Sequence, residues 1–321
     1  MAGKCGIKFV PLQLHIRVIN QLWRKFSKSE NRRTTVRGSD RHPLVSVIDY
    51  GKVSPIRHSL NDYSVYGIFL RDDEAVIGLK YGYGDYDYKK GTLMCVAPGQ
   101  IGGKEDDEEI VSITGWALLF HPDLLHGTPL EKEIRRYSFF DYRVNEALHM
   151  TDEEKDIVVG IMQQISNEIE NSPKDDSQDS IIVGLIGVLL NYCQRFYNRQ
   201  FLTRKLANSG ILSKFDNLLK DYFGNNIQKE KGLPTVQYFA DTLCMSANYL
   251  GDVIKRISGE TAGNYIRRAI IQEAKNRLAA GLSISETAYD LGFEYPQHFS
   301  RMFKKCTSIS PQEYLKKRNK R

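Results

Sequence analysis

Cysteine is scarce in this sequence and unpaired. Cys5, Cys95, Cys193, Cys244 and Cys306 are odd in number, far apart and form no C-x-x-C pair. That excludes a disulfide framework and a thiolate zinc site, and it points to a reducing compartment. Long apolar runs are missing too. The longest, IIVGLIGVLL at 181–190, has 10 residues, whereas a bilayer span needs about 20. Near the start, Pro11, His15 and Arg17 interrupt the apolar core that a signal peptide requires. A cytoplasmic chain with no membrane partner is expected. Catalytic signatures are equally absent: there is no P-loop, no nucleophile elbow and no H-E-x-x-H. His58, His121, His126 and His149 are scattered without metal-ligand spacing. Neither a cofactor nor a metal is expected, and the chain reads as a non-enzyme.

Charge is present, unevenly. The net of +6 over 321 residues hides three regions of different sign. Residues 1–41 carry 10 lysines and arginines against 2 acids, residues 42–234 carry 21 against 29, and residues 235–321 carry 14 against 8. An acidic middle lies between two basic ends, and a compact basic domain is an electrostatic footprint for phosphate backbones.

The texture changes along the chain in step with the charge. Residues 1–41, including RKFSKSENRRTTVRGSDR, read as a basic polar arm. Residues 42–145 form a β-rich domain of short aromatic and β-branched runs such as SVYGIFLR, GTLMCVAPG and ITGWALLF, broken by Gly, Pro and Asp. KEDDEE at 104–109 is a solvated acidic loop. Residues 146–208 turn helical: Thr151 and Glu154 make a capping box before one helix. The next, IIVGLIGVLLNYCQRFYNRQF, is apolar nearly all round in its first half and must be buried. Its Val183, Ile186, Leu189 and Leu190 are buried either inside their own domain or at a subunit interface, the sharper reading, which implies a homodimer. From 209 to 321 everything reads helical. The fold class is α+β: an N-terminal antiparallel β domain with a helical pair, then an all-α domain.

That last domain contains a repeat. Val236, Ala240, Leu243, Leu250, Ile254, Lys255, Tyr265 and Ile266 line up with Ile284, Ala288, Leu291, Phe299, Phe303, Lys304, Tyr314 and Leu315. The offset starts at 48 and becomes 49 after one extra residue at the start of the second copy's later helix. Each copy (235–257 and 283–306) reads helix, short turn, helix, with an alanine where the second helix crosses and Met245 or Phe293 closing the turn. This is the pattern of a helix-turn-helix, whose second helix enters a DNA major groove. The turn residue is Gly292 in one copy, which tolerates positive φ. In the other it is Cys244, at a cost of about 1 kcal/mol. Ser283 with Glu286 and Ser310 with Glu313 are capping boxes, Pro311 sits at the favoured first helical position, and Ser246 and Thr261 are N-caps. NYIRRAIIQEAKNRLAAG joins the copies as a helix of roughly 25 Å, enough to hold two recognition helices about one DNA turn apart.

On ADTLCMSANYLGDVIKRISGETAGNYI and ISETAYDLGFEYPQHFSRMFKKCTSISPQEYL, residues 209–321 resemble the DNA-binding domain of the AraC/XylS family of transcription regulators. The second segment carries A-x-x-L-G-F, then F-S-R-x-F-K-K and S-P-x-E-Y. The β region is similar to the cupin-like regulatory domain of that family, with Tyr81, Tyr83, Tyr86 and Tyr88 where metal-cupin histidines would stand. The resemblance implies a sequence-specific regulator: an activator with double-stranded promoter DNA and RNA polymerase as partners and a small-molecule effector in the N-terminal domain.

Asn248, Gly251, Asp252 and Lys255 share the outward face of the first recognition helix, opposite Leu250, Val253 and Ile254. Gln297, Ser300, Arg301 and Lys304 form the outward face of the second. Arg301 is the strongest base-reading candidate, because arginine pairs bidentately with guanine O6 and N7, while Gln297 suits adenine. Lys255, Lys304 and Lys305 suit phosphates. The first helix is the weaker reader: Gly251 has no side chain, and Asp252 can only accept from cytosine N4. Two other readings compete. One is a cupin-type metal enzyme with an accessory helical domain, the other a non-sequence-specific DNA-binding or adaptor protein. Tyr66, Phe69, Tyr81, Tyr83 and Trp116 either line an effector pocket or fill the β core.

Overall fold

The computed structural model describes residues 42–52, 56–57, 60–62, 64–72, 80–81, 84–85, 91–103, 110–111, 114–143, 146–171, 177–203 and 205–318. The basic arm 1–41, the acidic loop 104–109, His58, Tyr83, Tyr86 and Tyr88 lie outside them. The chain divides into two compact units that meet between Gln200 and Phe201.

The first unit is built on a five-stranded antiparallel sheet. Its strands are β1 (Val45–Asp49), β4 (Tyr66–Arg71), β7 (Thr92–Val96), β10 (Gly115–Phe120) and β11 (Leu148–His149), in the order β1-β10-β4-β7-β11. Short strand pairs complete the β region: β2 (Ile56–Arg57) with β9 (Ile110–Val111), β3 (Leu60–Asp62) with β8 (Ile101–Gly103), and β5 (Lys80–Tyr81) with β6 (Gly84–Asp85). Register puts Tyr66 opposite Phe120 and Ile68 opposite Leu118, so side chains of one face meet across strands. The central strands are buried on both faces, which explains their near-continuous apolar runs. Tyr66 stacks on Phe120 at 5.2 Å and meets Phe140 edge-on at 5.1 Å, while Phe69 is buried. These aromatics fill the core. Trp116 is half-buried, with Lys52 Nζ 5.9 Å from its ring.

After a one-turn helix α1 (Pro129–Glu133), helix α2 (Asp152–Asn171) lies against β1 and β10. It begins at the expected capping box: Glu154 N donates to Thr151 Oγ1 (3.3 Å) and Thr151 N to Glu154 Oε2 (3.1 Å). The same carboxylate holds Arg199, whose Nε donates to Oε1 at 2.9 Å and whose Nη2 reaches the His149 carbonyl at 2.6 Å. Arg199 belongs to helix α3 (Gln178–Thr203).

One expectation about α3 is overturned, that its apolar residues form a subunit interface. By length and composition its 26 residues, with an 18-residue stretch of mean hydropathy 1.3, are long and apolar enough to cross a membrane; the 10-residue run understated it, because Tyr192, Cys193, Phe196 and Tyr197 extend the apolar side past polar neighbours. That side packs inside the protein. Ile186, Leu189 and Leu190 are wholly buried and Val183 nearly so within one copy of the chain, so they are core and not a subunit interface. Tyr197 stacks on Phe139 at 5.4 Å, and the free thiols of Cys193 and Cys95 in β7 share a hydrogen bond. What α3 leaves outside is a different stripe: Ile181, Gly184, Val188, Asn191 and Arg195.

The second unit is all helix. α4 (Lys205–Gly224) and the one-turn α5 (Gln228–Lys231) lead into α6 (Val236–Thr242), α7 (Ala247–Ser258), α8 (Ala262–Ala279), α9 (Ile284–Asp290), α10 (Pro296–Thr307) and α11 (Pro311–Arg318). Phe215 of α4 meets Phe239 at 5.0 Å and Tyr265 at 5.7 Å, joining α4, α6 and α8 in one core.

Candidate nucleic-acid interface

The turns of the two repeats carry matching hydrogen bonds. In the first turn Cys244 N donates to Asp241 O (3.1 Å) and Met245 N to Ala240 O (2.8 Å). In the second Gly292 N donates to Tyr289 O (3.0 Å) and Phe293 N to Ala288 O (3.0 Å). Both turn residues are left-handed, φ 58° at Cys244 and 91° at Gly292. Ala240 and Ala288 are fully buried, so the later helix crosses closely. The extra residue of the second copy lies in its turn. Four residues (243–246) separate α6 from α7, and five (291–295) separate α9 from α10.

The later helices also end alike. Gly259 (φ 77°) and Ser308 (φ 64°) are left-handed C-caps. Before them, Ser258 Oγ donates to the carbonyls of Ile254 and Glu260, and Thr307 Oγ1 to those of Phe303 and Ile309. They begin differently. Ser246 caps α7 by accepting from Tyr249 N, whereas Tyr295 makes no side-chain cap and Pro296 removes a donor that would need one. Thr261 caps α8, Ser283 with Glu286 forms a reciprocal box on α9, and Ser310 with Glu313 does so on α11. The hydrogen bonds from Ser283 and Ser310 hold both carboxyls below the ordinary 4.5.

Burial sorts the side chains of each recognition helix. In α10, Phe299 and Phe303 are wholly buried and pack edge-on at 5.7 Å. At about 100° per residue, Arg301 points directly away from that pair, with Gln297 and Lys304 on one flank and His298 and Lys305 on the other. All five are exposed. Ser300 lies farther round and is half-buried. In α7, Leu250, Val253 and Ile254 are wholly buried; Asn248 and Lys255 are exposed at the centre of the opposite face, with Asp252 and Gly251 half-buried beside them. The α8 helix between them has 18 residues, roughly 27 Å.

Residues outside the predicted set share these faces. His298 lies one turn before Arg301, and its ring is 5.5 Å from that of the exposed Tyr295. Following the single stripe 297, 300, 301, 304 passes over it; the position of Phe299 and Phe303 would have located it. Arg256 is exposed next to Lys255. The faces differ in charge: α10 presents Arg301, Lys304 and Lys305, whereas α7 sets Asp252 beside Lys255 and Arg256.

A family model described as a helix-turn-helix domain matches residues 239–317. The chain is 31% identical over 134 residues to the uncharacterized transcriptional regulatory protein YesN of Bacillus subtilis, covering 41% of this chain and 35% of that protein. It is 24% identical over 152 residues to the uncharacterized HTH-type transcriptional regulator YijO of Escherichia coli, covering 47% and 50% respectively. The chain therefore spans between a third and about half the length of these relatives. Among solved structures, the C-terminal domain of AraT, a response regulator from Geobacillus stearothermophilus, is 26% identical over 29% of this chain and 80% of that one, with a TM-score of 0.26. ToxT from Vibrio cholerae is 13% identical over 85% of this chain and 95% of that one, with a TM-score of 0.27. With two helix-turn-helix units on one connecting helix and the family match running across both, residues 239–317 form a helix-turn-helix domain.

Proposed function

We propose that this protein is a sequence-specific DNA-binding transcription regulator, an activator that answers a small molecule held by its N-terminal unit. One observation carries the DNA-binding part: the duplicated helix-turn-helix offers two outward helical faces, and the second is cationic around a central Arg301. Arg301 reads guanine and Gln297 adenine, Lys304, Lys305 and Lys255 hold phosphates, and Asn248, Asp252 and Ser300 make the remaining contacts. The unit before residue 201 supplies effector binding, on a cupin-like sheet, and RNA polymerase is the activator's second partner.

The same reading makes the protein a cytoplasmic homodimer. Its contact surface is the outer stripe of α3, where Ile181 and Val188 are about 45% exposed and Gly184 leaves room for close approach.

Selection of duplexes from a randomised pool by the full chain, followed by footprinting, tests the central claim. A recovered consensus protected over two adjacent major-groove segments supports it. Binding that falls steeply with salt but shows no base preference refutes it and favours a non-specific DNA-binding protein.

A further inference from the structure

A polar cluster around Asp290 links the second helix-turn-helix to the rest of its domain. Asp290 ends α9, and its Oδ2 lies 2.5 Å from Nη1 of Arg277 in α8, an ion pair rather than an aligned hydrogen bond. Its Oδ1 lies 3.3 Å from Lys229 Nζ in α5, and its carbonyl accepts from the buried Gln228 Nε2 at 3.0 Å. Arg277 is nearly buried, paired also with Glu273 (3.2 Å) and set 5.9 Å from the Phe223 ring of α4. Three helices thus meet at one carboxylate, with α4 behind Arg277. Two residues on, the Gly292 turn presses on the same segment. A Cβ there would stand 2.8 Å from the Gly232 carbonyl carbon and 2.9 Å from the Gln228 oxygen. Beyond α8, Arg318 donates to the Leu278 and Ala279 carbonyls at 3.2 and 2.9 Å, fastening α11 to the end of the same helix.

The first repeat differs at the matching position. Thr242 occupies the station of Asp290, and its hydroxyl donates to the Tyr238 carbonyl within its own helix. This asymmetry has a use in a domain with two reading heads. When both heads bind one duplex, the second contact is intramolecular, and its strength depends on how narrowly the linkage fixes the distance and angle between them.

We infer that Asp290, through Arg277 and Lys229, is a positioning residue that fixes the second recognition helix relative to the first and so sets the single half-site spacing the protein accepts. The inference rests on the proposed DNA-reading function. Its test uses the full chain and the duplex that chain selects from a randomised pool, compared with versions carrying one inserted base pair between half-sites and versions with either half-site scrambled. Wild type is expected to discriminate against the insertion by about tenfold or more. Asp290→Asn is expected to reduce that discrimination to about threefold while leaving binding to the lone second half-site unchanged, because only the linkage is loosened. Lys229→Gln, which leaves the Arg277 pair in place, keeps the question open to measurement if Asp290→Asn does not fold; it is expected to reduce the discrimination by a smaller factor. Equal losses on all duplexes, or unchanged spacing discrimination in a folded variant, overturn the role of Asp290. A wild-type chain that selects no sequence refutes the DNA-reading function itself, a separate outcome.

Discussion

Cys244 and Gly292 hold the same left-handed station in the two repeats, and a Cβ at Gly292 would stand 2.8 Å from the Gly232 carbonyl carbon. Gly292 is required for its φ and for the space, while Cys244 holds the left-handed φ with a side chain in place. Cys244→Gly should therefore change stability little, because about 1 kcal/mol of relieved backbone strain is offset by a looser unfolded chain. Gly292→Ala should cost roughly 2–4 kcal/mol, since strain and overlap add. Urea melts of both variants check this; equal midpoints for the two would contradict it.

Arg301→Ala should cost about 1–3 kcal/mol on the selected duplex and relax preference at one base pair. Lys304→Ala should weaken all duplexes alike and lower the salt slope by about one. Binding to single-base-substituted duplexes at several salt concentrations separates the two. A uniform loss for Arg301→Ala would make that residue a phosphate clamp.

Phe303→Ala should act by another route, removing a wholly buried ring that touches Phe299 and Tyr314. A loss of about 3–5 kcal/mol is expected. Unchanged melting with lost DNA binding would place Phe303 at the interface instead.

The two sides of α3 should respond in opposite ways. A carboxylate at the wholly buried Ile186 has no partner there, so Ile186→Glu should unfold the unit. Val188→Glu should leave the fold intact and shift the protein to monomer. Sedimentation shows which occurs, and a persisting dimer removes the outer stripe from consideration.

The caps make a pH prediction. Glu286 and Glu313 titrate below 4.5 in the folded state, so their contribution is present above the unfolded value and is lost as pH falls through the lowered folded one. Stability should decline below about pH 4.5, and Glu286→Gln with Glu313→Gln should flatten that decline. An identical acid profile for the double variant would show that other groups dominate.

Much of the second unit was legible because its signals are local. Ser246, Thr261 and Ser283 cap where their spacing placed them, and the repeat located both turns before any contact was known. The environment of α3 was not legible, because apolar residues all round a helix say that it is buried and not against what. Only the sheet, with Cys95 opposite Cys193, decides that Ile186 faces inward. The Asp290 tie was equally hidden: Arg277, Lys229 and Asp290 are distant in sequence and read singly as surface charge.

The unequal charge of α7 and α10 gives the domain a polarity. Arg301 stands where the first repeat has Asp252, so turning the DNA end for end places an acidic side chain over the segment an arginine had read. On the proposed reading, a site recognised by one such domain is an arrow and not a palindrome.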